Sequence, residues 1–356
     1  MLGSLAERSL ERLARPLDQL RQALLQACGP LLTPFIRDRA LRVNTTAVLG
    51  LCVTALLSLK LPLWQLALGP IIWGVPHIIG DLRYLVLKQG LARAWGFWLL
   101  IATPLAYYSY QPRVTTTMLG VGGAGVLGLL TQRASAHDGL ISVTTKRRLL
   151  IVAALGALGY WVASEWPKES HYALLHGHNL ITLGLWWWWR PRQRWEALSL
   201  VTLIGLSALI LFGWEASEWR ADNPREGAWG RLTMSYFEVT LAGVAPREWR
   251  PQWVALYGFL QSAHYLVWVR LIPEDDRERE TPVTFRRSVA RLSQDFGGWV
   301  IALTLLMMVG LGAWAVVDVA GARLTYLTWI SAHASLEIAL IAYLFVSQRS
   351  LRQRKS

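Results

Sequence analysis

GVPHIIGDLRYLV, residues 74–86, sets an imidazole and a carboxylate inside a stretch that is otherwise almost wholly apolar. The surrounding run is about two dozen residues long, enough at 1.5 Å per residue to cross a hydrocarbon layer of about 30 Å. His77 and Asp81 lie one helical turn apart and so share a face. A charged side chain at mid-span costs about 2.5–3.5 kcal/mol. Groups placed there are therefore rare, and they face a bundle interior or a cavity.

Segments of the same kind recur along all 356 residues. The chain is 53% hydrophobic with 20 Trp, and its mean hydropathy is positive. This predicts an all-α fold, a polytopic transmembrane helix bundle. Ten spans are expected, near 43–59, 64–87, 94–110, 114–131, 149–166, 170–189, 196–213, 252–272, 297–318 and 325–347. Residues 1–42 then form an amphipathic cytoplasmic segment, 43–347 the bundle and 348–356 a basic cytoplasmic tail. With the N-terminus inside, 27 of the 36 Lys and Arg fall on the inner side. That bias predicts a topology with both termini in the cytoplasm, in an inner (cytoplasmic) membrane. It also accounts for the net charge of +13 through orientation and anionic lipid, without nucleic acid. Cys28 and Cys52 have no metal-ligand spacing and imply no disulfide framework.

Outside the spans, Leu5, Leu10, Leu13, Leu17, Leu20 and Leu24 recur at three- to five-residue steps. They predict an amphipathic helix on the cytoplasmic face, broken near Pro16 and Pro30, rather than a cleaved signal peptide. Trp186–Trp189 with Arg190–Arg192 reads as an aromatic belt with a cationic anchor. Residues 214–250 form one long outer connection, whose stretch Leu232–Val244 is expected to be an interfacial or re-entrant helix. The charged segment Pro273–Arg291 is expected to be solvated. The glycines of VGGAGVLGLL, Val121–Leu130, are expected to let helices pack closely.

Six of the seven histidines lie in or at the mouth of spans: His77, His171, His176, His178, His264 and His333. The seventh, His137, reads as a surface residue. His77, His178, His264 and His333 belong to even-numbered spans, which all run the same way. Counted from the outer ends, they fall within a slab about 7–8 Å thick. Four helices thus bring imidazoles to one level. Asp81 follows His77 by four and Glu337 follows His333 by four, so each carboxylate shares its histidine's face. His176 and His178 point about 200° apart on a helix, so one of the two joins a common site. A histidine and carboxylate set suits iron, with zinc or manganese as further options. The candidate ligands are His77, His178 or His176, His264 and His333, and Asp81 and Glu337 are the candidate catalytic residues.

The motifs around these residues resemble a known family. GVPHIIGD, Gly74–Asp81, is similar to the Gly-x-Pro-His-x-x-x-Asp motif of the Brp/Blh-type β-carotene 15,15′-dioxygenases. LLHGHNLITLG (174–184), FLQSAHYLVWVR (259–270) and SAHASLE (331–337) resemble that family's later histidine segments. The resemblance spans about 45 residues in four patches. This chain has Ile78 where the family has Gly, lacks the second motif's Asp, and has one His where the third motif has two. The resemblance implies a multi-span membrane enzyme with histidine-held iron that cleaves a carotenoid.

The expected function is a non-haem iron oxygenase or hydroxylase acting on a carotenoid or another lipid. One alternative is a membrane electron carrier with bis-His haem b, pairing His77 with His264 and His178 with His333. It leaves Asp81 and Glu337 without a role. The other is a proton or metal-cation transporter, which would use the same groups as a relay.

Overall fold

The computed structural model describes residues 2–136, 140–190, 196–213, 232–277 and 279–349. His137, most of the outer connection and the basic tail after Arg349 lie outside them. The described residues are helical throughout, without strands. In chain order the helices are α1 (Leu2–Arg37), α2 (Arg39–Lys60), α3 (Pro62–Asp81), α4 (Trp95–Phe97), α5 (Thr103–Tyr110), α6 (Val114–Ser135), α7 (Val143–Glu165), α8 (Pro167–Trp189) and α9 (Glu196–Phe212). They continue with α10 (Met234–Ala242), α11 (Arg250–Leu266), α12 (Ile272–Asp275), α13 (Phe285–Phe296), α14 (Gly298–Val317), α15 (Val319–Trp329) and α16 (His333–Ser347).

Six segments are long and apolar enough to cross a membrane: Arg39–Lys60, Pro62–Leu87, Val114–Ser135, Val143–Glu165, Gly298–Val317 and Val319–Ser347. This fits a multi-pass membrane protein. Large apolar side chains face outward along them, among them Leu56, Leu119, Leu155, Leu306 and Val316. A lipid solvent makes that arrangement stable, because the driving force is packing rather than removal of apolar surface from water. Packing depends on small residues at contacts: a Cβ at Gly123 would collide with the Leu100 carbonyl oxygen.

Several features differ from the sequence reading. Helix α1 continues through Pro16, and its backbone leaves helical geometry only at Gly29 (φ 32°), beside Pro30, where the sequence reading places its second break. Its leucines Leu13, Leu17, Leu20, Leu24 and Leu31 form an exposed stripe, while Leu10 and Ala14 are buried. Trp186 is buried rather than belt-like. Its Nε1 donates to Asp275 Oδ2 at 3.0 Å, and Arg190 lies 4.5 Å over its ring. The segment from Pro273 is not solvated at its start: Glu274 and Asp275 are buried. Glu274 pairs with Arg42 (2.8 Å), Arg270 (3.3 Å) and Arg277, and Asp275 lies 3.8 Å from Arg190. A run of charges reads as surface only when it lacks partners, and here partners come from α2, the end of α8 and the segments flanking α12.

Breaking a buried ion pair from one side leaves charges unpaired and costs about 3–5 kcal/mol. Glu274→Ala removes the carboxylate from Arg42 and Arg277, whose side chains are largely buried, as well as from the more exposed Arg270. It is therefore expected to lower the melting temperature in detergent steeply, and an unchanged melting curve would contradict the buried network.

Candidate metal centre

Two layers of side chains, one helical turn apart, occupy the middle of the bundle. His77, His178, His264 and His333 make the first. Four residues further on each helix stand Asp81, Thr182, Trp268 and Glu337, which make the second. Like packs with like in both layers, so these four helical segments run in the same direction.

In the imidazole layer, ring centroids are 5.2 Å apart for His77–His264 and His77–His333. They are 5.3 Å apart for His178–His264 and His178–His333. His264 and His333 face each other across the set at 6.3 Å. One ring nitrogen from each of His77, His264 and His333 lies within 4.8 Å of the others. His178 Nδ1 stands 3.2 Å from the Leu174 carbonyl and His333 Nδ1 2.9 Å from that of Ile330. A carbonyl only accepts, so both Nδ1 atoms carry the proton, leaving Nε2 as the lone-pair nitrogen. Ligating histidines are oriented in this way. His77, His178 and His264 are buried, and His333 is half-buried.

The second layer is organised around Glu337. Trp268 Nε1 donates to its Oε1 at 2.7 Å and Thr182 Oγ1 to its Oε2 at 2.9 Å. His264 Nε2 is 3.6 Å from Oε1. Asp81 completes a group with His264 and Glu337 whose ligating atoms lie within 4.8 Å of one another. The Asp81 carboxylate is buried beside that of Glu337.

Local backbone features aim these side chains. Wider π-helical turns begin directly after Asp81 (Leu82–Leu87) and shortly after His264 (Val267–Leu271). Such turns cluster at functional sites because they re-aim one face of a helix. The last long segment is interrupted: α15 ends at Trp329, and His333 begins α16 after a short turn. His333 therefore sits at a helix break, not in a continuous span. Gly74, three residues before His77, is where Tyr326 crosses α3: a Cβ there would collide with the ring's Cζ and Oη.

The structure brings together His77, His178, His264, His333, Asp81 and Glu337. It does not bring in His176, whose Nε2 meets the Leu241 carbonyl at 2.8 Å and whose ring packs on Trp253 and Tyr257. Three further residues of the centre are absent from the sequence reading. Thr182 and Trp268 follow His178 and His264 at the four-residue spacing that Asp81 and Glu337 also show. Tyr265 has its ring centroid 4.5 Å from that of His77.

The donor set fits a metal ion. Nitrogens of His77, His264 and His333 lie within 4.8 Å of one another, near enough to share one ion, and the His178 ring stands 5.3 Å from those of His264 and His333. Four neutral imidazoles leave a divalent ion its full charge, which Asp81 and Glu337, when ionised, offset within an apolar bundle. No family model, curated protein or solved structure matches the chain.

Proposed function

We propose that the chain is an integral-membrane, non-haem iron oxygenase or hydroxylase acting on a lipophilic substrate, a carotenoid or another lipid. The convergence of the four histidines carries this reading: nitrogens of His77, His264 and His333 lie within 4.8 Å of one another, and the buried His178 ring packs on two of those rings. When bound, the iron supplies activation of dioxygen, with zinc and manganese as the other ions the donors accept. The chain's own part is to hold and to exclude. Leu174 and Ile330 carbonyls fix two of the rings, and Glu337 offers an acceptor to His264. The buried walls keep bulk water from the centre. Access is best at His333, the one half-buried ring of the four. A bis-His haem, pairing His77 with His264 and His178 with His333, is disfavoured because it leaves the buried carboxylates of Asp81 and Glu337 without a role.

Ten spans belong to this proposal. Beyond the six apolar segments and α1, the remaining long helical stretches are Trp95–Tyr110, α8, α9 and the run from Arg250 to Asp275. Two of them carry His178 and His264, and polar site residues lower a helix's mean hydropathy without preventing a buried span. The Lys and Arg bias supports both termini on the cytoplasmic side of an inner membrane, with the exposed leucine stripe of α1 lying on its surface.

The test is isotopic. Iron-loaded protein in nanodiscs, supplied with ¹⁸O₂, a reductant and carotenoid or acyl lipids, is expected to place ¹⁸O in a lipid product. Iron-replete protein that consumes no dioxygen with any lipid class would contradict the oxygenase reading.

A further inference from the structure

Arg323 is the only Lys or Arg between Val319 and Ser347. It lies on α15 with 5% of its surface exposed. Its Nε donates to the Leu66 carbonyl at 3.0 Å, and its guanidinium lies 5.0 Å over the Phe237 ring. No carboxylate among the described residues is within ion-pair distance of it. Its polar neighbours are the tyrosines Tyr257, Tyr236 and Tyr265. These are neutral groups and leave the charge uncancelled.

A buried cation without a counter-ion is costly, and in a membrane protein it marks a functional site by default. Holding α15 to the Leu66 carbonyl does not explain it, since a neutral amide could donate that bond without the charge. The surroundings point to an anion. Gln261 Nε2 donates to the Tyr257 hydroxyl at 3.2 Å, which leaves the hydroxyl proton of Tyr257 free to be donated. Helix α10 supplies Phe237 and Tyr236 and covers this side of the bundle. A single guanidinium neutralises a monoanion, whereas a phosphate dianion would leave a net charge buried.

The position is informative as well. Leu66 and His77 are eleven residues apart on α3, roughly 16 Å along the axis. A long acyl chain spans that distance and a short acid does not. Tyr326, one turn from Arg323, reaches Gly74 along the way, and its hydroxyl makes no hydrogen bond.

We propose that Arg323, with Tyr257 and Tyr236, receives the carboxylate of a long-chain fatty acid whose chain runs toward the histidine centre. This rests on reading that centre as one that acts on a lipid, and it narrows the substrate to an acidic amphiphile.

The experiment compares oleate with oleyl alcohol, binding each to purified full-length protein in nanodiscs of neutral lipid, with iron content measured in parallel. Wild-type protein is expected to bind oleate at least about tenfold more tightly than the alcohol, as a charge-assisted hydrogen bond to a buried guanidinium would give. Arg323→Gln should abolish that ratio and keep the wild-type iron content. Tyr257→Phe, which removes one donor and keeps the ring, should reduce the ratio several-fold, and it decides the matter if Arg323→Gln does not fold. Equal binding of acid and alcohol by wild-type protein would overturn the proposal, as would a ratio that survives these substitutions. A clear oleate preference in protein that binds no iron would leave the carboxylate site standing and remove the metal reading instead.

Discussion

His77→Ala is expected to reach the membrane, fold and purify without its metal. The ring is fully buried and stands at the same distance from His264 and His333. No other side chain among the described residues hydrogen-bonds to its nitrogens. Its removal therefore takes a nitrogen from the donor set without breaking a side-chain hydrogen bond between helices. Loss of a residue that only orients a ligand costs about 10–100-fold in metal affinity or activity, and loss of a ligand should exceed the upper end of that range. Iron content per folded chain, measured beside a melting curve, checks this. A fully active variant with normal iron would make His77 a packing residue.

Glu337→Gln is the second large effect. Both carboxylate oxygens accept hydrogen bonds, from Trp268 and Thr182, and His264 lies beside one of them. An amide keeps one acceptor but turns an NH₂ group toward a donor, and it removes a negative charge next to the ion. Metal affinity should fall about 10–100-fold, in the range for partners that orient ligands. Asp81→Asn should weaken it less, because the hydrogen bonds from Trp268 and Thr182 are made to Glu337 and survive that substitution. Titration of the apo variants with ferrous ion measures both, and a Glu337→Gln protein with wild-type affinity would contradict the role given to the second layer.

Much of this centre is legible in the sequence because helical spacing is rigid. His77 with Asp81 and His333 with Glu337 are visible as pairs at i and i+4, and depth counting brings His178 and His264 to the same level. The other half of the second layer is not, because Thr182 and Trp268 are residues that any span can carry. Only their contact with Glu337 gives them meaning. The choice between His176 and His178 needs the structure, since a helix fixes the angle between them but not which side faces the bundle. The break before His333 has no glycine or proline to announce it. Pro273–Arg291 looks solvated because sequence shows charges but not their partners, and Glu274 finds three. Trp186 looks like a belt residue for the same reason, its partner Asp275 lying 89 positions away. Arg323 counts among the basic residues of the outer side, and nothing in the sequence shows its burial.

The most direct test of the four-histidine centre is elemental analysis of the purified wild-type chain, coupled to X-ray absorption at the metal edge. About one iron per chain is expected, with imidazole nitrogens dominating its ligand shell. Protein that is folded and monodisperse, yet holds no stoichiometric iron, manganese or zinc after loading, would contradict it.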